Sequence, residues 1–261
     1  MFSSLIENLP IILLGLPAVL LALSFHEMCH AFAAHKLGDP TARSLGRLTL
    51  NPFKHIDPIG FICMILFHFG WANPVPINTR YFKKPRRDMA LSAAAGPLSN
   101  LLLGIVSALV LRLALFFVGT YFVEDLNAVL FSFFTGMGGA FQVSKGFFVV
   151  AVLVMMLYLS VIINFNYAIF NLIPIPPLDG SRIFYVFLPT KWYFAVMKYE
   201  RIIMIAMLVL LWTGMLTVPL SWIVGNMENG LFYLLGMGSG TDANATLGLI
   251  SVYIDALFSP N

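Results

Sequence analysis

The residues of this chain best suited to chemistry are two histidines and a glutamate in the run Ser24-Phe25-His26-Glu27-Met28-Cys29-His30-Ala31. Residues four apart lie on one face of an α-helix, so His26 and His30 can present two imidazoles to one metal ion. Glu27 lies beside them, where a carboxylate can act as general base towards a water molecule. The pattern therefore predicts a metal site with hydrolytic chemistry.

A catalytic zinc site usually takes three protein ligands and keeps one position for water, so a third ligand is expected from elsewhere in the chain. His35 follows His26 by nine residues and therefore has the wrong helical phase to join the pair. His55 and His68 remain open as ligands, although their positions favour roles in loops or packing. Asp179 is the better candidate, because it is a carboxylate that follows an apolar helix in a segment broken by prolines.

The composition of the chain is that of a membrane protein. Of its 261 residues, 59% are hydrophobic and only 10% are charged, whereas a soluble domain has about 25% charged residues. The sequence has no nucleotide-binding loop, and no nucleic-acid partner is expected. Cys29 and Cys63 lie in apolar runs and are expected to be free thiols rather than a disulfide.

Long apolar stretches predict the helices that hold the metal site in the bilayer. About 20 apolar residues cross a membrane, and three stretches reach this length, at about 10–35, 89–118 and 146–170. A fourth span is expected at about 202–224, and residues 230–258 are predicted to be interfacial or a further span. The expected fold is an all-α polytopic membrane protein. It is predicted to be a single domain over 1–261, with a core at about 10–185 and C-terminal helices at about 200–258.

A small β or re-entrant element is predicted between the first two spans. Thr41–Leu50 has the composition of a strand. Trp71–Asn78 is expected to be extended, because each proline disfavours the helical conformation in the residue before it. The apolar stretch Ile56–Gly70 is too short to cross the bilayer and is therefore predicted to be re-entrant or half-buried.

Two breaks are predicted in the rest of the chain. Glu124 and Asp125 predict a polar turn, and residues 126–144 are expected to form a loop or an interfacial helix. The second break is at 171–180, where three prolines end the third apolar helix at membrane depth. Irregular backbone is tolerated there only if it is buried in protein or lines a wet cavity.

The positive charges predict the orientation of the chain in the membrane. Thirteen of the fifteen Lys and Arg residues fall in two regions, Lys36 to Arg87 and Arg182 to Arg201, and the exceptions are Arg112 and Lys145. Positively charged loops stay on the cytoplasmic side of a membrane. The predicted protein is therefore a multi-pass membrane protein, with the histidine pair and Asp179 towards the cytoplasmic side.

Two separated motifs give the sequence a clear resemblance to a known family. His26-Glu-x-x-His30, followed by Asn171-x-x-Pro174-x-Pro-Pro177-x-Asp179-Gly180, resembles the site-2 protease family of intramembrane zinc metalloproteases. Other segments resemble its compact prokaryotic branch, which lacks PDZ and CBS domains. They are Gly38-Asp-Pro-Thr-Ala-Arg43, Gly46-Arg-Leu-Thr-Leu-Asn-Pro52, His55-Ile-Asp-Pro-Ile-Gly60, Gly70-Trp-Ala-Asn-Pro-Val-Pro-Ile-Asn78, Pro85-Arg-Arg-Asp-Met89 and Ala95-Gly-Pro-Leu-Ser-Asn100.

The resemblance implies a role for each candidate side chain. His26, His30 and Asp179 are implied to bind one zinc ion per chain, with Glu27 activating the attacking water. Asn171 is implied to polarise the scissile carbonyl or to hold the oxyanion, a role that suits an amide donor. From its position alone, Asn171 is also suited to cap the end of the third apolar helix.

The activity implied by the resemblance is hydrolysis of peptide bonds within or near transmembrane segments of membrane protein substrates. Because a helical backbone hides its carbonyl groups, such a substrate has to unwind partly before it is attacked. The proline-interrupted residues Asn73, Pro74, Val75 and Pro76 are predicted to bind the unwound substrate as an added strand.

Two other classes of protein are consistent with part of the pattern. A membrane metal-binding or transport protein without hydrolytic activity accounts for His26, His30 and Asp179, but it gives Glu27 no role. An inactive relative that binds membrane partners accounts for the fold, but the complete set of core motif residues argues against it.

Overall fold

The computed structural model of the chain describes residues 2–67, 70–135 and 145–237. Within these ranges the chain is almost entirely helical, and the β-structure is limited to an isolated antiparallel bridge between Ile56 and Ala72. The prediction of a mostly helical protein is confirmed. The α-helices are α1 Phe2–Lys36, α2 Thr41–Ser44, α3 Pro58–Phe67, α4 Pro85–Thr135, α5 Lys145–Leu172, α6 Asp179–Phe184, α7 Thr190–Lys198, α8 Glu200–Trp212 and α9 Thr217–Leu234.

In the described part of the chain, three helical segments are long and apolar enough to cross a membrane. They are Ile12–Lys36 in α1, Pro85–Phe117 in α4 and Val149–Leu172 in α5. These segments correspond to the three spans predicted from the sequence, and they mark the chain as an integral membrane protein. At most 44% of the residues in their most apolar windows are buried within the protein, so the remaining apolar surface is available to lipid.

The described chain forms two compact units. One comprises residues 19–103 and 163–224, and it contains all the candidate site residues. The other comprises the described parts of 1–18, 104–162 and 225–261. In this second unit α4 and α5 are joined by a buried hydrogen bond between the Ser107 and Ser160 hydroxyls. Its intramembrane cation, Arg112, donates from Nε to the Leu235 carbonyl, so the end of α9 supplies a partner for that charge.

The strand predicted at Thr41–Leu50 is wrong, because the segment begins as the helical turn α2. The buried Asp39 carboxylate accepts a hydrogen bond from the Thr41 N–H at 2.9 Å, which satisfies one of the free donors at the start of the turn. Gly46 then adopts a left-handed conformation with φ of 67°, where a strand cannot continue. A local capping interaction thus overrides a weak preference for strand structure.

The rest of the element between α1 and α4 agrees in part with the prediction. Residues 71–78 are not helical, as the prolines require, and Ala72 forms the bridge to Ile56. α3 has 10 residues, which is about 15 Å of helix and half of the roughly 30 Å hydrocarbon core. It is therefore too short to cross, whereas its re-entrant placement stays a prediction.

The polar turn predicted at Glu124 and Asp125 is also wrong, because α4 continues through both residues to Thr135. No proline follows Pro97 in this helix, and two adjacent acids without a proline do not end a helix. The loop or interfacial helix predicted at 126–144 is helical as far as Thr135, and its remainder lies outside the described residues.

The fourth span predicted at 202–224 is not one continuous helix. α8 ends at Trp212 and α9 begins at Thr217. Gly214 lies between them with φ of 79°, a left-handed conformation that commonly ends a helix. The predicted tail element is described only as far as residue 237, where α9 has already ended.

Candidate metal centre

The structure brings His26, His30 and Asp179 together at one point. The Nε2 atoms of the two histidines are 3.0 Å apart. The Asp179 Oδ2 atom lies 3.0 Å from each of them. Among the residues that the structure describes, these are the three His, Cys, Asp or Glu side chains that lie close enough together to share a metal ion. The histidines come from one face of α1 and the carboxylate from the first residue of α6.

The hydrogen bonds made by the two Nδ1 atoms determine the tautomer of each histidine. His26 Nδ1 lies 2.6 Å from Asn100 Oδ1, and His30 Nδ1 lies 2.8 Å from the Ser92 carbonyl oxygen. Both oxygens are acceptors, so each Nδ1 carries the hydrogen and donates it. Each Nε2 therefore turns a lone pair towards Asp179.

With both Nε2 atoms unprotonated, three acceptor atoms face one another, an arrangement that a bound cation satisfies. Zinc binds histidine nitrogen and carboxylate oxygen at about 2.0–2.2 Å, which is compatible with ligand atoms 3.0 Å apart. Two histidines and one carboxylate also leave the open position that catalytic zinc sites need. The side chains present therefore fit a zinc ion.

Asp179 reaches the histidines because helix α5 ends abruptly. α5 stops at Leu172, and residues 173–178 are irregular before α6 begins. A side chain on Gly180 would overlap the Leu172 and Ile173 carbonyl oxygens, so glycine allows α6 to start directly against the end of α5. Asp179 thereby brings a carboxylate oxygen, a ligand type that zinc accepts, within 3.0 Å of both imidazoles.

Glu27 is buried beside the histidines and is held by the backbone of the segment 71–78. Its side chain is 8% exposed, and its Oε2 atom accepts a hydrogen bond from the Val75 N–H at 2.9 Å. Val75 packs in turn into a small core with Ala31 and Ala42. The segment 71–78 thus fixes the carboxylate of the expected general base.

Helix α4 passes close to both imidazoles at Gly96. A Cβ atom at this position would overlap the His30 ring and lie 2.7 Å from His26 Cε1. Real Cβ atoms do not approach other groups so closely, so one or both rings would have to move. Glycine at position 96 is therefore a steric requirement of the site.

We expect Gly96→Ala to weaken zinc binding by about tenfold or more, since overpacking costs about 1–3 kcal/mol and here displaces ligand rings. The measurement is zinc affinity by competition with a chelator. Gly225→Ala is the matched control, because Gly225 lies in helix α9 with open space around it. Equal affinities of Gly96→Ala and the parent would show that the rings are not constrained by α4.

The other histidines do not join the cluster where the structure describes them. His55 is buried, and its Nε2 lies 2.8 Å from the Thr49 carbonyl oxygen. His35 Nε2 lies 3.0 Å from the Arg43 guanidinium. His68 lies outside the described residues. Asn171 is half-buried and donates from Nδ2 to the Tyr167 carbonyl at 2.9 Å, one turn back in α5.

Sequence reasoning missed the partners of the histidines. Ser92 offers a backbone carbonyl, for which no sequence signal exists. The sequence predicts interhelical hydrogen bonds for Asn100, an amide in an apolar span, but it does not indicate His26 or Asn164 as the partners. A usable signal was present, because an amide inside an otherwise apolar span needs a hydrogen-bond partner.

Comparison with known proteins gives two kinds of match. The family model of Peptidase family M50 matches residues 14–214. YwhC of Bacillus subtilis (strain 168), a predicted zinc metalloprotease, is 40% identical over 176 residues, which cover 67% of this chain and 69% of YwhC. Rip2 of Mycolicibacterium smegmatis (strain ATCC 700084 / mc(2)155), also a predicted zinc metalloprotease, is 31% identical over 167 residues, covering 62% of this chain and 52% of Rip2. No solved structure matches.

Proposed function

This chain belongs to Peptidase family M50, and we propose that His26, His30 and Asp179 hold its catalytic zinc ion while Glu27 is its general base. Membership of the family and the names of the relatives make the chain an intramembrane zinc metalloprotease. The residue assignment rests on one observation: His26 Nε2, His30 Nε2 and Asp179 Oδ2 each lie 3.0 Å from the other two. We propose one zinc ion per chain, because the described residues contain one such group.

A bound zinc ion supplies a Lewis acid for the scissile carbonyl and lowers the pKa of a water molecule. The chain supplies the proton transfers. Glu27 takes the proton of the attacking water and then delivers it to the leaving amine. The Val75 N–H bond to Glu27 Oε2 leaves the other carboxylate oxygen for this exchange.

Asn171 is proposed to stabilise the oxyanion that forms at the scissile carbonyl. One N–H of its amide is used by the Tyr167 carbonyl, but a side-chain amide has two such donors. The second donor is the one we assign to the substrate. The bond to Tyr167 gives Asn171 a helix-end contact as well, so the two roles considered for this residue are compatible.

We propose that the segment Asn73, Pro74, Val75 and Pro76 binds the unwound substrate by one edge. The N–H groups of Asn73 and Val75 are engaged by the His55 carbonyl and by Glu27. Pro74 and Pro76 have no N–H, so their carbonyl oxygens are the groups available on the opposite edge. A substrate strand would donate its own N–H groups to these oxygens.

The proposed substrate is a transmembrane segment of a membrane protein that reaches the site from the bilayer. The core is proposed to be the three candidate spans with α3 re-entrant between the first two, in one domain over 1–261. The assignment is tested by replacing His26, Glu27, His30 and Asp179 singly. Zinc content and cleavage of a membrane-embedded reporter are then measured in the same purified samples.

We place the site near the cytoplasmic face of a prokaryotic cytoplasmic membrane, because thirteen of fifteen cations lie in the loops 36–87 and 182–201. Cysteines introduced at Lys84 and Lys191, in a background without Cys29 and Cys63, are expected to be protected from an impermeant thiol reagent in intact cells. Both are exposed and should react after permeabilisation. Labelling of either cysteine from outside would reverse the orientation.

A further inference from the structure

We propose that Asn164 on α5 is a positioning residue for His26 and acts through the side chain of Asn100 on α4. We call Asn100 and Asn164 the amide pair. This inference rests on the proposed function, in which His26 binds the zinc ion. Both members of the amide pair have 0% exposure, so water does not compete for their hydrogen bonds.

The orientation of the Asn100 amide is fixed by its neighbours. Its nitrogen lies 3.1 Å from the Ala22 carbonyl oxygen and 2.9 Å from Asn164 Oδ1. A backbone carbonyl only accepts, so the NH₂ group has to face Ala22. The Asn100 oxygen is thereby turned towards His26 Nδ1, at 2.6 Å.

This orientation decides whether His26 can bind a metal. Because Asn100 Oδ1 only accepts, His26 Nδ1 has to carry the hydrogen, and Nε2 keeps its lone pair. A reversed amide would place an N–H group against Nδ1 and favour the other tautomer, with the hydrogen on Nε2. In that tautomer the nitrogen that faces His30 and Asp179 could not act as a ligand.

Asn164 holds the amide pair in the competent orientation. Its Oδ1 atom accepts the second N–H of Asn100, and without it a buried donor would be left unsatisfied, which carries a cost. His30 needs no comparable side chain, because its Nδ1–H is accepted by the Ser92 backbone carbonyl. Helix α5 also leads into the segment that carries Asp179. The amide pair therefore connects α5 to His26.

The test is the zinc affinity of the purified full chain, measured by competition with a chelator. Asn100→Ala is expected to bind zinc about 10–100-fold more weakly, the usual effect of losing a hydrogen-bond partner of a ligand. Asn164→Leu should weaken binding by about fivefold, the net worth of one hydrogen bond. Because Asn164 acts through Asn100, the double variant should bind zinc no more weakly than Asn100→Ala alone.

Ser107→Ala is the matched control, since it removes a buried hydrogen bond to Ser160 between the same two helices and should leave zinc affinity unchanged. If Asn164→Leu does not fold, Asn164→Ser replaces it, because a serine is too short to reach Asn100 and should show the same loss. The inference would be overturned if a folded Asn164 variant bound zinc as tightly as the parent. It would also be overturned if the double variant bound zinc more weakly than Asn100→Ala by the full factor lost in the Asn164 variant. Full zinc retention in His26→Ala would instead refute the proposed metal site.

Discussion

Purified Asp179→Ala is expected to lose most of its zinc and with it the cleavage of membrane-embedded substrates. Asp179 supplies the only carboxylate oxygen among the three acceptor atoms that meet in the described chain. Structural zinc sites in zinc-finger peptides have apparent binding free energies of about 10–16 kcal/mol, shared among a few ligands. Loss of one ligand should therefore weaken zinc binding by about a hundredfold or more, measured by metal analysis and chelator competition.

A second buried carboxylate gives the matched control. Asp39 has 0% exposure and accepts hydrogen bonds from the backbone N–H groups of Thr41 and Asn78, but it is not in the metal cluster. Asp39→Asn should lower the free energy of unfolding and yet keep the parental zinc content. If Asp179→Ala kept its zinc in full, Asp179 would not be a ligand, and the third ligand would have to be sought elsewhere.

The three proposed ligands could be predicted from the sequence because their signals are local. His26 and His30 are four residues apart in an apolar helix, and helical geometry alone places them on one face. Asp179 was a candidate because a carboxylate in a proline-broken segment at membrane depth needs a reason to be there. The three spans were predictable for the same kind of reason, since about 20 apolar residues define each of them.

The incorrect predictions concern segments whose sequence has only a weak preference for one type of secondary structure. In such segments a single contact, local or distant in sequence, determines the conformation. The strand expected at Thr41–Leu50 became a helical turn because the Asp39 carboxylate caps it. That carboxylate also binds the Asn78 N–H, a contact between residues 39 positions apart that no local pattern contains. The Val75 N–H bond to Glu27 could not be predicted for the same reason. Nor could the amide pair next to His26, because its contacts depend on how α1, α4 and α5 pack together.

Glu27→Gln is expected to retain zinc and normal folding while its rate of cleavage falls by roughly 10²–10⁴-fold, the usual contribution of a general base. The amide oxygen of glutamine can still accept the Val75 N–H that Glu27 accepts at 2.9 Å, so the side chain should keep its position. What it loses is the ability to take a proton from water. The measurements are zinc content and cleavage of a membrane-embedded reporter in the same samples.

Glu200→Gln makes the same chemical change in the first turn of α8, outside the metal cluster, and should cleave at the parental rate. If the protein only bound or carried metal, the Glu27→Gln variant would have the metal content of the parent and the same phenotype in cells. Glu27→Gln that cleaves at nearly the parental rate would therefore refute Glu27 as the base. Since Val75 holds the residue at position 27 in either form, a large loss of cleavage with zinc in place can be assigned to the missing carboxylate.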